Sequence, residues 1–252
     1  MPWVVGPVDM NISSHPSTLV IGDIHHRTDF ADKAIKRYSS RGQRTVFLGD
    51  YFDAFGDGTR EMRATCQWLR RSLKDPNRTH LLGNHDLAYL MPLHHQAWCP
   101  GWTSKKQQVF DEEMAGIGIS SFRIACQVGP WLLSHAGVDG EHLDELGSIG
   151  VVEQLERELA RACSGSRSWL FDRSPERGGL DRAGAVLWAD WREFALSTPV
   201  RIGPTFARLE LTHPLANYLR GGLILLGEGP LGWGSRATEP GKRPAWRFSL
   251  MR

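Results

Sequence analysis

The stretch 79-THLLGNHDLAYL-90 has the form of a short buried strand that ends on a run of polar side chains. Two leucines and a glycine are followed at once by Asn84, His85 and Asp86. A tight turn can use Gly-Asn, because both residues tolerate left-handed backbone geometry, but it does not need the two residues behind them. His85 and Asp86 can bind metal or move protons, so this strand end is a candidate functional site.

The same ending recurs on two other predicted strands. TLVIGD (18–23) and RTVFLGD (44–50) both close on Gly-Asp, as THLLGN (79–84) closes on Gly-Asn. Segments with apolar residues at intervals of three and four lie between and after these strands, which is the spacing of a helix face. We predict helices over 28–40, with Thr28 as its cap, 59–73, 103–114 and 148–162. Strand–helix alternation of this kind predicts an α/β fold with a largely parallel core.

The rest of the chain is less regular. FRIACQV (122–128) and WLLSH (131–135) are typical of a hairpin, and the Ser-, Arg- and Gly-rich segment 164–184 predicts an exposed loop. Three further strands are expected near the end, namely FARLEL (206–211), GLILL (222–226) and AWRFSL (245–250). We expect one domain over 1–252, with a basic tail over 236–252 as a candidate flexible end.

The composition is that of an ordinary globular protein. The 252 residues are 41% hydrophobic and 23% charged, and the formal net charge of +2 argues against a strongly basic nucleic-acid binder. No apolar run reaches the roughly 18 residues of a membrane span, and the first residues lack the pattern of a signal peptide. Four cysteines without a C-x-x-C pair are typical of reduced thiols. We therefore expect a cytoplasmic protein with no membrane partner.

Polar side chains at the ends of parallel strands meet at one edge of the sheet. We therefore expect Asp23, Asp50 and Asn84 to converge, and each has further candidates close behind it in the sequence. His135 ends the strand WLLSH and joins the same group. Carboxylate, amide and imidazole ligands without thiolate favour manganese, iron or zinc, and several carboxylates favour more than one ion. A pair of ions needs a bridging carboxylate, and Asp50 fits that role.

The motifs GDIHH, GDYFD, GNHD and SHAG, in this order and spacing, resemble those of the calcineurin-like metallophosphoesterase family. Together with LWADW, they are most similar to its serine/threonine-phosphatase-like branch. The resemblance covers about residues 18–190. It implies a four-layer αββα fold, a β-sandwich flanked by helices, that holds two divalent metal ions, with Mn²⁺ the first candidate.

The resemblance also implies which residues bind the metals. Asp23 and His25 would bind the first ion, and Asp50 would bridge the two. Asn84 and His135 would bind the second ion.

By the same resemblance, His85 would lie beside the metals and protonate the leaving alkoxide. Asp53 would orient the imidazole of His85. Asp86 is expected to cap the turn that follows.

The first departure from the family pattern concerns the phosphate clamp. The second motif usually continues Asp-Arg-Gly, but here Ala54 stands in place of the arginine. Arg60 or Arg27 could bind the phosphate instead, because a guanidinium matches phosphate geometry. The first motif ends in His26 where glycine is usual, and we interpret this histidine as a rim residue.

The second departure concerns the last metal ligand. The family supplies a histidine from a strand-terminal G-H-T, but Pro204 stands at the expected distance and cannot coordinate. His213, which follows the predicted strand ARLEL, is the candidate replacement. An ordinary surface histidine is the alternative reading of the same residue.

These observations favour a dinuclear metal-dependent phosphoesterase that hydrolyses a phosphomonoester by attack of a metal-bound hydroxide. Its substrate would be a phosphorylated small molecule or phosphoprotein. Two alternatives remain open. One is a degenerate member that binds a phosphorylated ligand without hydrolysis, and the other is a phosphodiesterase or nuclease on the same metal site.

Overall fold

The computed structural model describes residues 3–4, 18–39, 42–128, 131–138, 142, 150–173, 175–181 and 183–189, and strand segments between 207 and 227. Outside the described residues lie Pro204, His213, the predicted strand 245–250 and the tail 236–252. The predictions for these segments, and the prediction of a single domain, therefore stay predictions.

Strands and helices alternate between residues 18 and 90. In chain order the described strands are β1 (Trp3–Val4), β2 (Thr18–Ile21), β3 (Arg44–Phe47), β4 (Arg78–His80), β5 (Ala125–Val128), β6 (Trp131–Ser134), β7 (Ala207–Arg208), β8 (Leu211–Thr212), β9 (Leu215–Ala216) and β10 (Leu223–Gly227). The α-helices are α1 (Thr28–Tyr38), α2 (Thr59–Ser72), α3 (Asn84–Leu90), α4 (Ser104–Glu113) and α5 (Val151–Cys163). Short 3₁₀ turns lie at His95–Ala97, Ile119–Ser121, Trp169–Phe171 and Pro175–Arg177.

The largest described sheet has the strand order β1-β10-β2-β3-β4. The strands β10, β2, β3 and β4 are parallel, and β1 pairs antiparallel with β10 at one edge. All four residues of β2 are buried, as expected for a central parallel strand covered on both faces. The predicted parallel core is therefore confirmed.

A second described sheet has the order β5-β6-β7. The predicted hairpin is confirmed, since β5 and β6 pair antiparallel with Cys126 opposite Leu133. β7 joins β6 in parallel, whereas β8 pairs with β9. The segment 206–211, predicted as one strand, therefore contributes to two different sheets.

The helices pack amphipathic faces on this framework. In α2 the buried residues include Met62, Cys66 and Leu69, which follow the predicted spacing. One detail of α1 is wrong in the prediction, because Thr28 is its first helical residue and the preceding Arg27 makes no side-chain cap. None of the helices in the described part of the chain is both long and apolar enough to cross a membrane.

Two further predictions are wrong, one on the end of a strand and one on the exposure of a segment. β4 ends at His80, and Asn84 begins α3 instead of ending the strand. The segment 164–184 is not simply an exposed loop, because Leu170 and Phe171 are buried in the main core. The segment is polar on average, so its composition does not indicate that these two apolar residues are buried.

Candidate active site

The strands β2, β3 and β4 run in parallel, so their carboxyl ends lie along one edge of the sheet. Gly49 and Gly83 follow two neighbouring strands and approach each other closely. A Cβ on Gly49 would collide with the backbone of Gly83, and a Cβ on Gly83 would collide with the carboxylate of Asp50. The glycines of the two motifs are therefore required by the contact between the strand ends.

The loops after β2 and β3 carry strained backbone. Among the described residues other than glycine, those with positive φ are His25, His26, Asp50 and Asp53, at 41°, 65°, 51° and 60°. Left-handed geometry is costly for such residues and persists only where surrounding contacts impose it. Here the amides of Ile24 and His25 both donate to the Asp50 carbonyl, at 3.0 and 2.7 Å. The two loops thus hold each other in place.

Two histidines are oriented in the same way, each with Nδ1 at a backbone carbonyl and Nε2 toward this site. His25 Nδ1 lies 3.0 Å from the Phe52 carbonyl and His135 Nδ1 lies 3.0 Å from the Leu48 carbonyl. A carbonyl oxygen can only accept, so each Nδ1 carries a proton, and Nε2 is the ring atom that would bind a metal. Metal-binding histidines are commonly oriented in this way by a backbone acceptor.

Both Nε2 atoms face the carboxylate of Asp50. Its Oδ2 lies 3.7 Å from His25 Nε2 and 3.5 Å from His135 Nε2. His135 Nε2 is also 3.0 Å from Asn84 Oδ1. Asp50 is fully buried and lies between the two imidazoles, as a bridging ligand would.

The donor set fits divalent metal ions. One ligand atom from each of Asp23, His25 and Asp50 lies within 4.8 Å of the others. Ligands at about 2.0–2.2 Å from a common ion lie roughly 3–4 Å apart, and the donor separations above are of this order. Nitrogen and oxygen donors without thiolate suit manganese, iron or zinc.

His85 lies beside these donors. Its backbone N–H donates to Asp50 Oδ1 at 3.0 Å, and its ring meets the ring of His25 edge to face, with centroids 5.3 Å apart. Nδ1 of His85 lies 3.0 Å from Asp53 Oδ2, as the prediction requires. Burial lowers the pKa of His85, but the carboxylates of Asp50 and Asp53 outweigh burial and raise the pKa to about 11.

Asp86 does more than cap a turn. Its carboxylate accepts the Gly83 N–H at 2.8 Å, so the capping contact runs back to the start of α3 and not to the turn that follows Asp86. The carboxylate also accepts the amides of Asp50 and Tyr51, each at 2.8 Å. Burial and then the charge of Asp50 raise the pKa of Asp86 well above its ordinary value. Asp86 therefore joins the loop after β3 to the start of α3.

The sequence reasoning missed a group of residues around Asp53. Lys106 and Tyr89 both reach its carboxylate, and Asp57 and His26 lie directly behind Lys106. We call these five residues the Asp53 cluster. The interpretation of His26 as a rim residue is wrong, because only 5% of its side chain is exposed.

A signal for Lys106 was present in the helical spacing. Val109 and Phe110 lie three and four residues after it and are buried on the same face of α4. Cys99 was also missed. Its Sγ accepts a hydrogen bond from Asn84 Nδ2 at 3.2 Å, which leaves Oδ1 of the amide toward His135.

Comparison with known proteins was made on the sequence and the structure. A family model described as calcineurin-like phosphoesterase matches residues 16–201, which is most of the chain. The chain belongs to the calcineurin-like phosphoesterase family. Members of this family generally bind two divalent metal ions, and the predicted α/β fold of this family is confirmed.

Among solved structures, this chain is similar to a serine/threonine phosphatase from Saccharomyces cerevisiae with similarity to human phosphatase PP5. The two are 15% identical, the match covers 49% of this chain and 42% of that chain, and the TM-score is 0.30. No curated protein matches the sequence.

The two arginines predicted to bind phosphate lie on the surface of the protein. Arg27 is exposed, with its Nε 3.8 Å from Asp29 Oδ1. Arg60 lines a groove of about 690 Å³ between α2 and α4, together with Arg63 and Lys105. None of the metal-ligand candidates that the structure describes lines this groove, so a role for either arginine in phosphate binding stays a prediction.

Proposed function

We propose that this phosphoesterase hydrolyses phosphomonoesters with the help of two divalent cations. The observation that carries the proposal is the convergence of five donor residues next to a histidine that is already held by a carboxylate. The residues that would hold the cations are Asp23, His25, Asp50, Asn84 and His135, with His213 as a further candidate ligand.

Divalent cations in such a site lower the pKa of water toward neutrality and neutralise phosphoryl oxygens. The protein's own part is positioning, because phosphoryl transfer needs little covalent help. The Nδ1 protons of His25 and His135 are bound to backbone carbonyls, so both rings are fixed before any ligand arrives. Asp50, between them, is the proposed bridging ligand.

His85 is the proposed proton donor. Its Nδ1 is bound to Asp53, so Nε2 is the atom that would deliver a proton to the leaving alkoxide. Two contacts support this assignment, since the His85 amide is anchored on Asp50 and its ring lies against the ring of His25. A general acid must lie within hydrogen-bond reach of the leaving oxygen, and a position of His85 beside the proposed cation ligands supports this role.

The proposed substrate is a phosphorylated small molecule or a phosphoprotein, and membership of the phosphoesterase family supports it. Mn²⁺ is the first metal to test among the ions that this donor set suits. Cys66, Cys99, Cys126 and Cys163 are all free, which fits the reducing cytoplasm as the place of action.

The test is His85→Asn in protein loaded with Mn²⁺ and freed of excess metal. We expect kcat for an alkyl ester such as glycerol 2-phosphate to fall by about 10²- to 10⁴-fold, and kcat for p-nitrophenyl phosphate, whose leaving group needs no proton, to fall much less. Metal content by elemental analysis should stay near that of the wild-type protein. His95→Asn is the matched control, since His95 is exposed on a 3₁₀ turn and should leave turnover unchanged.

Other results would select another function. Faster cleavage of bis-p-nitrophenyl phosphate than of the monoester would identify a phosphodiesterase. Protein that holds its metal, hydrolyses neither ester and is thermally stabilised by phosphate compounds would be a binding protein. Unchanged turnover of the alkyl ester in His85→Asn would refute the role of His85 as proton donor.

A further inference from the structure

The carboxylate of Asp53 is enclosed on every side that the structure describes. Only 4% of its side chain is exposed, and its backbone has the left-handed φ of 60°. Gly101 approaches so closely that a Cβ there would lie 2.8 Å from the Asp53 Cγ. The position of this carboxylate is therefore set by its neighbours and not by local chain preference.

The two oxygens of Asp53 have different partners. Oδ2 faces His85 Nδ1 at 3.0 Å. Oδ1 accepts from Lys106 Nζ and from the Tyr89 hydroxyl, each at 2.6 Å. Because both strong donors bind Oδ1, the carboxylate cannot rotate without losing them, and Oδ2 is kept toward the imidazole.

Lys106 is a buried cation whose donors are all engaged. Its residue is 4% exposed, and Nζ contacts Asp53 Oδ1 at 2.6 Å and the two oxygens of Asp57 at 3.2 and 3.0 Å. An ammonium group has three N–H donors, and these contacts account for all three. Because its three N–H donors already bind carboxylate oxygens, Lys106 is not expected to bind a phosphate that enters the site.

The far side of Lys106 is anchored as well. Asp57 Oδ2 lies 2.8 Å from His26 Nε2, and His26 Nδ1 lies 2.8 Å from Thr65 Oγ1 on α2. The chain of contacts runs from α2 through His26, Asp57 and Lys106 to Asp53. It ties the imidazole of His85 to two helices that pack against each other, α2 and α4.

We propose that Lys106 is a positioning residue, which holds Asp53 so that Asp53 turns His85 toward the leaving group. This inference rests on the proposed hydrolysis of phosphomonoesters. It assigns a positioning role in that reaction to a residue of α4 that would contact neither the cations nor the phosphate. Loss of the Lys106 ammonium leaves Asp53 Oδ1 with the Tyr89 hydroxyl as its remaining donor and lets the His85 ring turn away.

The test compares Lys106→Met with Lys106→Arg, which keeps the charge, and with the control Lys105→Met. Lys105 is the exposed neighbour on the same helix. Each variant is assayed on p-nitrophenyl phosphate, whose leaving group departs without a proton, and on glycerol 2-phosphate, whose alkoxide needs one. We expect Lys106→Met to lower kcat about 10- to 100-fold on glycerol 2-phosphate and less than about 3-fold on the nitrophenyl ester.

Three further results are expected. KM and metal content stay unchanged in Lys106→Met, Lys106→Arg recovers part of the lost kcat, and Lys105→Met behaves as wild type. In a His85→Asn background, Lys106→Met causes no further loss, because the residue acts through His85. Equal losses on both esters, a further loss without His85, or loss of metal would overturn the proposal and leave Lys106 a merely structural residue.

A second variant and an NMR measurement test the proposal if Lys106→Met does not fold or if the wild-type protein is inactive. If Lys106→Met does not fold, Tyr89→Phe removes the other donor to Asp53 Oδ1 and should give a smaller loss with the same ester selectivity. If wild-type protein hydrolyses no phosphomonoester, the proposed function fails, and NMR of the ¹⁵N-labelled histidines then decides the positioning. The Nδ1–H signal of His85 should be present in wild type and lost in Lys106→Met; the same signal in both would overturn the proposal.

Discussion

At the scale of single residues, the site depends on how closely two strand ends approach. Gly83 lies directly against the carboxylate and the amide of Asp50, so any side chain at this position displaces a proposed bridging ligand. Its φ of −105° is open to every amino acid. Contact with Asp50, and not backbone freedom, is therefore the reason for glycine here.

Gly83→Ala should lose both stability and metal. We expect the free energy of unfolding to fall by about 1–3 kcal/mol, as in other overpacked sites, and the metal content after desalting to drop. Gly118→Ala is a matched control, because Gly118 has a φ of −107° and a Cβ there would meet nothing within 4 Å. Equal effects of the two substitutions would contradict the contact as the cause.

At the scale of elements, His80 joins the strands to the helix beside them. On β4, its ring stacks on Phe47 of β3 with centroids 4.6 Å apart. Its ring nitrogens lie 3.0 Å from the hydroxyls of Tyr51 and of Ser72 at the end of α2. Burial, helped by the charge of Arg78, lowers the pKa of His80 from 6.5 to about 3.

This shift makes the packing of β4 sensitive to acid. The unfolded chain takes up a proton near pH 6.5 but the folded protein only near 3, so stability is complete above pH 6.5 and is lost as the pH falls through this window. The loss is at most about 1.4 kcal/mol per pH unit.

Urea unfolding of wild type and His80→Gln at a series of pH values checks this. We expect the wild type to be more stable at neutral pH and the difference to shrink on acidification, whereas His95→Gln should follow wild type throughout. A difference between wild type and His80→Gln that stays constant from about pH 7 to pH 4 would contradict the buried neutral state.

At the scale of the whole molecule, folding gathers carboxylates into one region. Asp50, Asp53 and Asp86 are all buried, and Asp23 is close to them. Like charges at short range oppose the folded state unless cations or hydrogen bonds compensate them. Lys106 compensates Asp53, and the proposed cations would compensate Asp23 and Asp50.

Metal should therefore stabilise the fold. A ligand at 100 times its Kd adds about 2.7 kcal/mol per site, and for a chain of this size that raises Tm by about 5–10 °C. Calorimetry of chelator-treated protein with and without Mn²⁺ measures this, with Asp50→Asn as the control that should not respond. An equal rise in Asp50→Asn would place the metal elsewhere.

Much of the fold could be predicted from sequence because its signals are local. The runs TLVI and RTVF are short and apolar, and the helices between them carry regular apolar spacing. Side chains at the ends of parallel strands must share one edge, so the gathering of Asp23, Asp50 and Asn84 followed from the strand pattern. Their roles as metal ligands stay predictions.

Tertiary structure alone decided how the charges at this edge are paired. Lys106 lies 53 residues from Asp53, and nothing in the sequence around either residue indicates the other. Asp86 has the local sequence of a helix cap, yet two of its three amide partners come from the loop after β3. Periodicity determines which face of an element is buried, but the partner of a buried charge depends on which elements pack against that face.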